Sequence, residues 1–427
     1  MTMMSNDANN KWFNELLHEL PGGLDELERK YPGFTDWVDE MREKLEEIME
    51  LLNNQRPPRL LLVGRRGAGK SSLVNAMFQA HVAEVGSVTS QTGRCRWHLY
   101  EDNGRAMEIL DTRGFAEGGH PQEETAAETA GDEIWEAIAG KCPDAILFLQ
   151  KAKEVDAHID ADIKAVADLR KRVLTGHHYD VPVIGVVTQI DELDPLHVSE
   201  PPFDEHPRKR ENIQIARETL AKKLYDGFEG AVLRVFPVCA YQDFNEKPPY
   251  SRCDGIEELV RYLIEKLPNE SKLSMAQAAK LRRVQEDIAR RHIVRPAAIA
   301  AGGIGATPIP VADAIPLTGL QFAMIIGVGY VGGHKLNKET AADFAAAMGV
   351  NVAVAFGARE IARALLKLFP GVGWAISGGV AYAATMGLGE AAIAYFIKDR
   401  SAEEAKEVLE EERERHMEEE MEEDPTA

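Results

Sequence analysis

Residues 60–78 read LLLVGRRGAGKSSLVNAMF, an aliphatic run that breaks into glycines and resumes as an amphipathic helix. The segment fits GxxxxGK(S/T) with Gly64, Gly69, Lys70 and Ser71. Glycines let successive backbone N–H groups curl around an anion, and the helix start adds the positive end of its dipole. Lysine reaches the β- and γ-phosphates, and the Ser71 hydroxyl is a ligand for Mg²⁺. The loop Gly64, Arg65, Arg66, Gly67, Ala68, Gly69, Lys70, Ser71 and Ser72 is therefore the expected phosphate cradle.

Outward from this loop, short aliphatic or β-branched runs alternate with helical stretches: RLLLVG, RCRWHLY, MEILDT, DAILFLQ, VPVIGVV and VLRVFPV. The alternation predicts an α/β fold, a doubly wound sheet of about six strands over residues 58–268. MEILDTRGF places Asp111 at the end of the third strand with Gly114 three residues on. Asp111 is the expected Mg²⁺ partner through a water, and the Gly114 amide the expected γ-phosphate contact. In VVTQID, Asp191 ends the fifth strand, where a carboxylate accepts both N1–H and the exocyclic amine of guanine. Adenine offers no such pair, so GTP is expected over ATP.

From GRRGAGKSS through DTRG to TQID and VCAY, about 210 residues resemble the Era-like P-loop GTPases of the translation-factor class. The resemblance implies hydrolysis of GTP to GDP and phosphate with Mg²⁺. It implies a threonine before the second strand that senses the γ-phosphate and the metal. Thr89 and Thr92 are both available, and Thr92 suits better by its place next to the strand. Lys70, Thr92 and Gly114 are thus the expected catalytic set; Ser71, Thr92 and Asp111 are the expected metal set.

The family's guanine motif usually opens Asn-Lys or Thr-Lys; here Thr188 is followed by Gln189, a shorter uncharged stem on which to stack the base. The companion motif, usually Ser-Ala-Lys or Ser-Ala-Leu, reads Cys239-Ala240-Tyr241, and the Ala240 amide would meet guanine O6. Relatives that use potassium carry Asn where this chain has Gly67, so a potassium-assisted reaction is not supported. Phe115 stands where small signalling GTPases have a water-orienting glutamine, and intrinsic hydrolysis is expected to be slow. Arg65, Arg66 and Arg113 are the local arginines that could assist.

Before this domain lies a helical leader, residues 1–57, in which Trp37 to Leu52 places Val38, Met41, Leu45, Ile48 and Leu52 on one face. After it, residues 269–295 read as a charged connecting helix and 296–398 as an apolar all-α domain rich in Ala and Gly. An acidic helical tail follows at 399–427. The core PIPVADAIPLT resembles an uncharacterised domain often fused to Era-like GTPases in bacteria. Two uncharged stretches, the 20 residues from Ala314 to Gly333 and the 22 from Leu368 to Gly389, are long enough to cross a bilayer. Small residues suit close helix packing in a membrane or in a soluble bundle. Arg290, Arg291 and Arg295 would favour a cytoplasmic membrane face.

The net charge is −21, and from Ser401 to Ala427 thirteen acidic residues face three basic ones. That balance argues against a large nucleic-acid surface. Four cysteines without ligand spacing indicate neither a zinc site nor a disulfide framework, and no basic-then-apolar leader opens the chain. A cytoplasmic setting follows, with the cytoplasmic face of a membrane and self-association through the helical regions as expected partners beside GTP and GDP. The readings left open are a switch coupled to the apolar domain, a soluble assembly GTPase on a ribosomal or other RNA, and a nucleotide-bound scaffold.

Overall fold

The computed structural model describes residues 25, 28–29, 35–52, 55–83, 95–102, 104–111, 130–157, 159–229, 234–247, 249–303, 309–310, 315–350, 375–376 and 378–423. They divide into two compact units, Arg56–Leu281 and a second formed by Met1–Gln55 with Arg282–Ala427.

The first unit is built on β1 (Arg59–Val63), β2 (Trp97–Asp102), β3 (Arg105–Asp111), β4 (Ala145–Lys151), β5 (Val183–Thr188) and β6 (Val235–Pro237), in the order β2-β3-β1-β4-β5-β6. Only β2 runs antiparallel to its neighbour. The expected α/β sheet of about six strands is the observed one. Strands β1, β4 and β5 are apolar along almost their whole length because helices cover both faces of a parallel sheet.

Chain order reverses direction at β1, which lies between β3 and β4. In open α/β sheets such a switch point opens a crevice beyond the carboxyl ends of the strands, and the glycine loop leaves β1 there. Register sets Leu62 beside Asp111 and Leu147, so β1 and β3 end together at the crevice while β4 runs on to Lys151.

At the opposite end of β4, Asp144 is almost wholly buried yet receives both Nη atoms of Arg56, at 2.7 and 2.8 Å, and the Arg59 amide. A buried carboxylate needs such a paired donor set. The Arg56 guanidinium is held further toward its charged form by this hydrogen bond to Asp144.

The connecting helix expected over 269–295 is two helices. Asn269–Ala279 packs on β3 within the first unit, and Lys280 breaks the chain with a left-handed φ of 46°. Arg282–Ala289 then begins the second unit. It continues through a π turn, Arg290–Val294, into Arg295–Gly302. Pro296 explains the widened turn, because its missing N–H and its ring forbid the regular bond to the fourth residue before it.

The leader helix Thr35–Leu52 packs in the second unit with Val38, Ile48 and Leu52 buried; the side chains of Met41 and Leu45 lie outside the described residues. The first apolar stretch forms Ile315–Val331, with every residue from Leu317 to Gly329 buried in this unit. A helix apolar all round is a core helix or a membrane span. At 17 residues it is about 25 Å long against a hydrocarbon layer of about 30 Å. Among the described residues no helix is long and apolar enough to cross a membrane.

Gly378–Phe396 takes up the end of the second stretch and runs past it. Near its end Glu390 pairs with Arg290 at 2.5 and 2.8 Å. Arg291 pairs with Asp287 at 2.8 Å, so two of the three arginines expected to favour the cytoplasmic side of a membrane have acidic partners within the unit. The acidic tail is helical over Ala402–Glu423.

Candidate nucleotide-binding site

The glycine loop turns through left-handed residues at Gly67 (φ 75°) and Gly69 (φ 84°), a conformation that costs a side-chain-bearing residue about 1–2 kcal/mol. Gly69 precedes the helix Lys70–Phe78 and has no side chain to cap it, so the first turn faces the crevice uncapped. Lys70 lies across the loop, its Nζ donating to the Gly64 carbonyl at 2.9 Å. A cation, the hydroxyls of Ser71 and Ser72 and an uncapped helix start make a donor set that fits phosphate oxygens. Arg65 is turned aside: its Nε donates to the buried Asp162 at 2.9 Å, while Arg66 and Gly67 are exposed.

The segment expected to read guanine is tied directly to this loop. The Thr188 hydroxyl, buried at the end of β5, donates to the Ala68 carbonyl at 2.9 Å. Gln189 is left-handed (φ 58°) and donates its Nε2 to the Gly67 carbonyl at 2.9 Å. The amide that replaces the usual lysine therefore reaches back to the phosphate loop. Asp191 follows in the short turn Ile190–Glu192 and is half-buried.

Cys239 is fully buried, and burial pushes its thiol well above the ordinary range with the Asp191 carboxylate adding to the effect. Its backbone exchanges both hydrogen bonds with Asp254, which holds Ala240 at the edge of the site. Burial also raises the Asp254 carboxyl, opposed by the Gly255 amide. Thus Gly64 to Ser72, Thr188, Gln189, Asp191, Cys239 and Ala240 gather on one rim. Asp111 reaches the same end of the sheet by register, although its side chain lies outside the described residues. Thr89, Thr92, Arg113, Gly114 and Phe115 lie outside them entirely. Among the described residues no group of three or more His, Cys, Asp or Glu could hold a metal.

Two features beside this rim were not predicted. Tyr241, next to Ala240, carries the Arg252 guanidinium over its ring at 4.8 Å, and Arg252 donates its Nε to the Tyr250 hydroxyl at 2.8 Å. Lys209, in the helix Pro207–Gly227, is completely buried behind the Asp191 turn. A lysine in a stretch reading PRKREN gives no sign of burial.

Residues 59–188 match the family model described as 50S ribosome-binding GTPase, and residues 269–421 match a Domain of unknown function (DUF697). GTPase Der from Pseudomonas fluorescens (strain Pf0-1) is 32% identical over 143 residues, 32% of this chain and 25% of that protein. The tRNA modification GTPase MnmE from Erythrobacter litoralis is 28% identical over 173 residues, 37% of this chain and 39% of its own. The chain thus spans a quarter to two fifths of the length of these curated relatives. The solved structure of Toc33 from Arabidopsis thaliana in complex with Mg²⁺ and GMPPNP is 16% identical, with a TM-score of 0.33, covering 58% of this chain and 92% of that one. With its glycine loop and strand-end motifs on a six-stranded sheet, the segment 59–188 is a P-loop GTPase domain, and the segment 269–421 is a domain of the DUF697 family.

Proposed function

We propose that the chain binds GTP with Mg²⁺, hydrolyses it to GDP and phosphate, and passes its nucleotide state to its helical domain as a switch. The observation that carries this reading is the pair of bonds from Thr188 and Gln189 to the Ala68 and Gly67 carbonyls. They join a phosphate loop to a base-reading carboxylate in one rim. Lys70 stabilises charge that builds on the transferred phosphate, and the first amides of its helix hold the oxygens in place. Thr92 and the Gly114 amide sense the γ-phosphate. Ser71, Thr92 and Asp111 would hold Mg²⁺, which would supply charge neutralisation at the phosphates. With Phe115 in place of glutamine and Arg65 paired to Asp162, turnover is slow until a partner or a second copy contributes.

The base assignment has a direct test. Asp191→Asn is expected to lose GTP affinity by about thirtyfold, about 2 kcal/mol, with ATP affinity unchanged, since only guanine spans the carboxylate with two donors. Equilibrium titration with fluorescent GTP and ATP reads both; an intact GTP preference in the variant sinks the assignment.

We also propose a cytoplasmic setting, with self-association and contact with a membrane surface through the Ala- and Gly-rich region. The composition of residues 296–398 supports that part of the reading. Salt-washed membrane fractions and size-exclusion chromatography test it. A ribosomal or RNA role is the second reading, favoured by the description of the matched family and opposed by the net charge of −21. Sedimentation with ribosomes in place of membranes would establish it.

A further inference from the structure

Lys209 occupies the third position of its helix, after Pro207, where the positive end of the helix dipole disfavours a cation. It is also fully buried, and burial lowers its readiness to hold a proton while the Asp191 and Asp194 carboxylates oppose that shift. Neither helix stability nor solubility accounts for a lysine here. Residues that break local rules in this way mark functional positions more often than structural ones.

Its contacts supply the reason. The ammonium donates to the Asp191 carbonyl at 2.7 Å and to the Leu193 carbonyl at 2.5 Å, and it lies 5.4 Å from the centre of the Phe203 ring. One turn along the same helix, Asn212 donates its Nδ2 to the Asp194 carbonyl at 2.8 Å. The helix therefore grips three carbonyls of the segment that carries Asp191. Thr188 and Gln189 fasten the same segment to Ala68 and Gly67. A carboxylate that must meet two guanine donors at once tolerates little rotation of its backbone, because paired hydrogen bonds weaken steeply with angle.

We propose that Lys209 is a positioning residue for guanine recognition: by holding the Asp191 and Leu193 carbonyls it fixes the turn that aims the Asp191 carboxylate at the base. The inference rests on the reading of the site as a guanine-nucleotide site. Lys209 touches no part of the nucleotide itself. It acts through the two-donor contact, of which the exocyclic amine of guanine is one half.

Inosine triphosphate keeps N1–H and lacks that amine, so the ratio of GTP to ITP affinity reports how well Asp191 is aimed. In Lys209→Met the ratio is expected to fall about tenfold toward one, with ATP affinity unchanged. Lys209→Gln, which keeps an N–H donor without the charge, is expected to lie between the variant and wild type. A residue that merely supports the fold would lower GTP, ITP and ATP affinities together. Both variants are checked by circular dichroism, and if Lys209→Met does not fold the ratio is taken from Lys209→Gln. A folded variant with the wild-type ratio overturns the inference. Wild type without preference for GTP over ATP overturns the reading of the site instead, so the two failures are told apart.

Discussion

Lys70→Ala is expected to release phosphate from GTP a hundred- to a thousandfold more slowly than wild type, the loss found when one preorganised donor to a developing charge is removed. Lys70 is the cation laid across the mouth of the glycine loop, 2.9 Å from the Gly64 carbonyl. Bound phosphate oxygens offer it a charged acceptor in place of a neutral one, and such charge-assisted bonds are about twice as strong. The bond to the Gly64 carbonyl is lost from the fold, about 1 kcal/mol. Steady-state phosphate release, with a fluorescent non-hydrolysable GTP analogue for binding, separates the two effects. Turnover within threefold of wild type would refute the role, and negligible turnover in wild type as well would identify a nucleotide-bound scaffold.

Gly255→Ala is expected to destabilise the unit Arg56–Leu281 by about 3 kcal/mol, through strain and overpacking together. Gly255 is left-handed (φ 72°) at the start of the helix Ile256–Lys266, and a Cβ there would stand 2.2 Å from the Pro237 carbonyl oxygen. Backbone cannot yield as a flexible side chain would. The strand end that must move is β6, which leads into Cys239 and Ala240, so guanine-nucleotide affinity is expected to fall with stability. Urea unfolding followed by tryptophan fluorescence and by circular dichroism measures the loss; a midpoint equal to wild type would show that the turn relaxes freely.

Much of this site is legible in the sequence because its chemistry is local. A phosphate loop is one run of consecutive residues, here Gly64 to Ser72, between a strand and a helix, and both flanks carry their own periodicity. Asp111, Asp191 and Ala240 are legible because each ends a strand or follows one within three residues, on the same side of one sheet. Lys209 is hidden by the opposite circumstance: its partners, Asp191 and Leu193, are backbone carbonyls on another element, and carbonyls carry no letter. The break at Lys280 is hidden as well, since the stretch AAKLRR has no glycine or proline to announce a left-handed residue. The buried run from Leu317 to Gly329 shows the ambiguity of composition, because a core helix and a membrane span look alike until length is measured.

The bonds from Thr188 and Gln189 to the glycine loop have a further consequence. A nucleotide has two ends, and in the proposed site the segments that would meet them are tied by two side-chain hydrogen bonds instead of standing as independent hands. Loosening either end is expected to loosen the other, and a ligand that fits one end alone is expected to be held by half a grip.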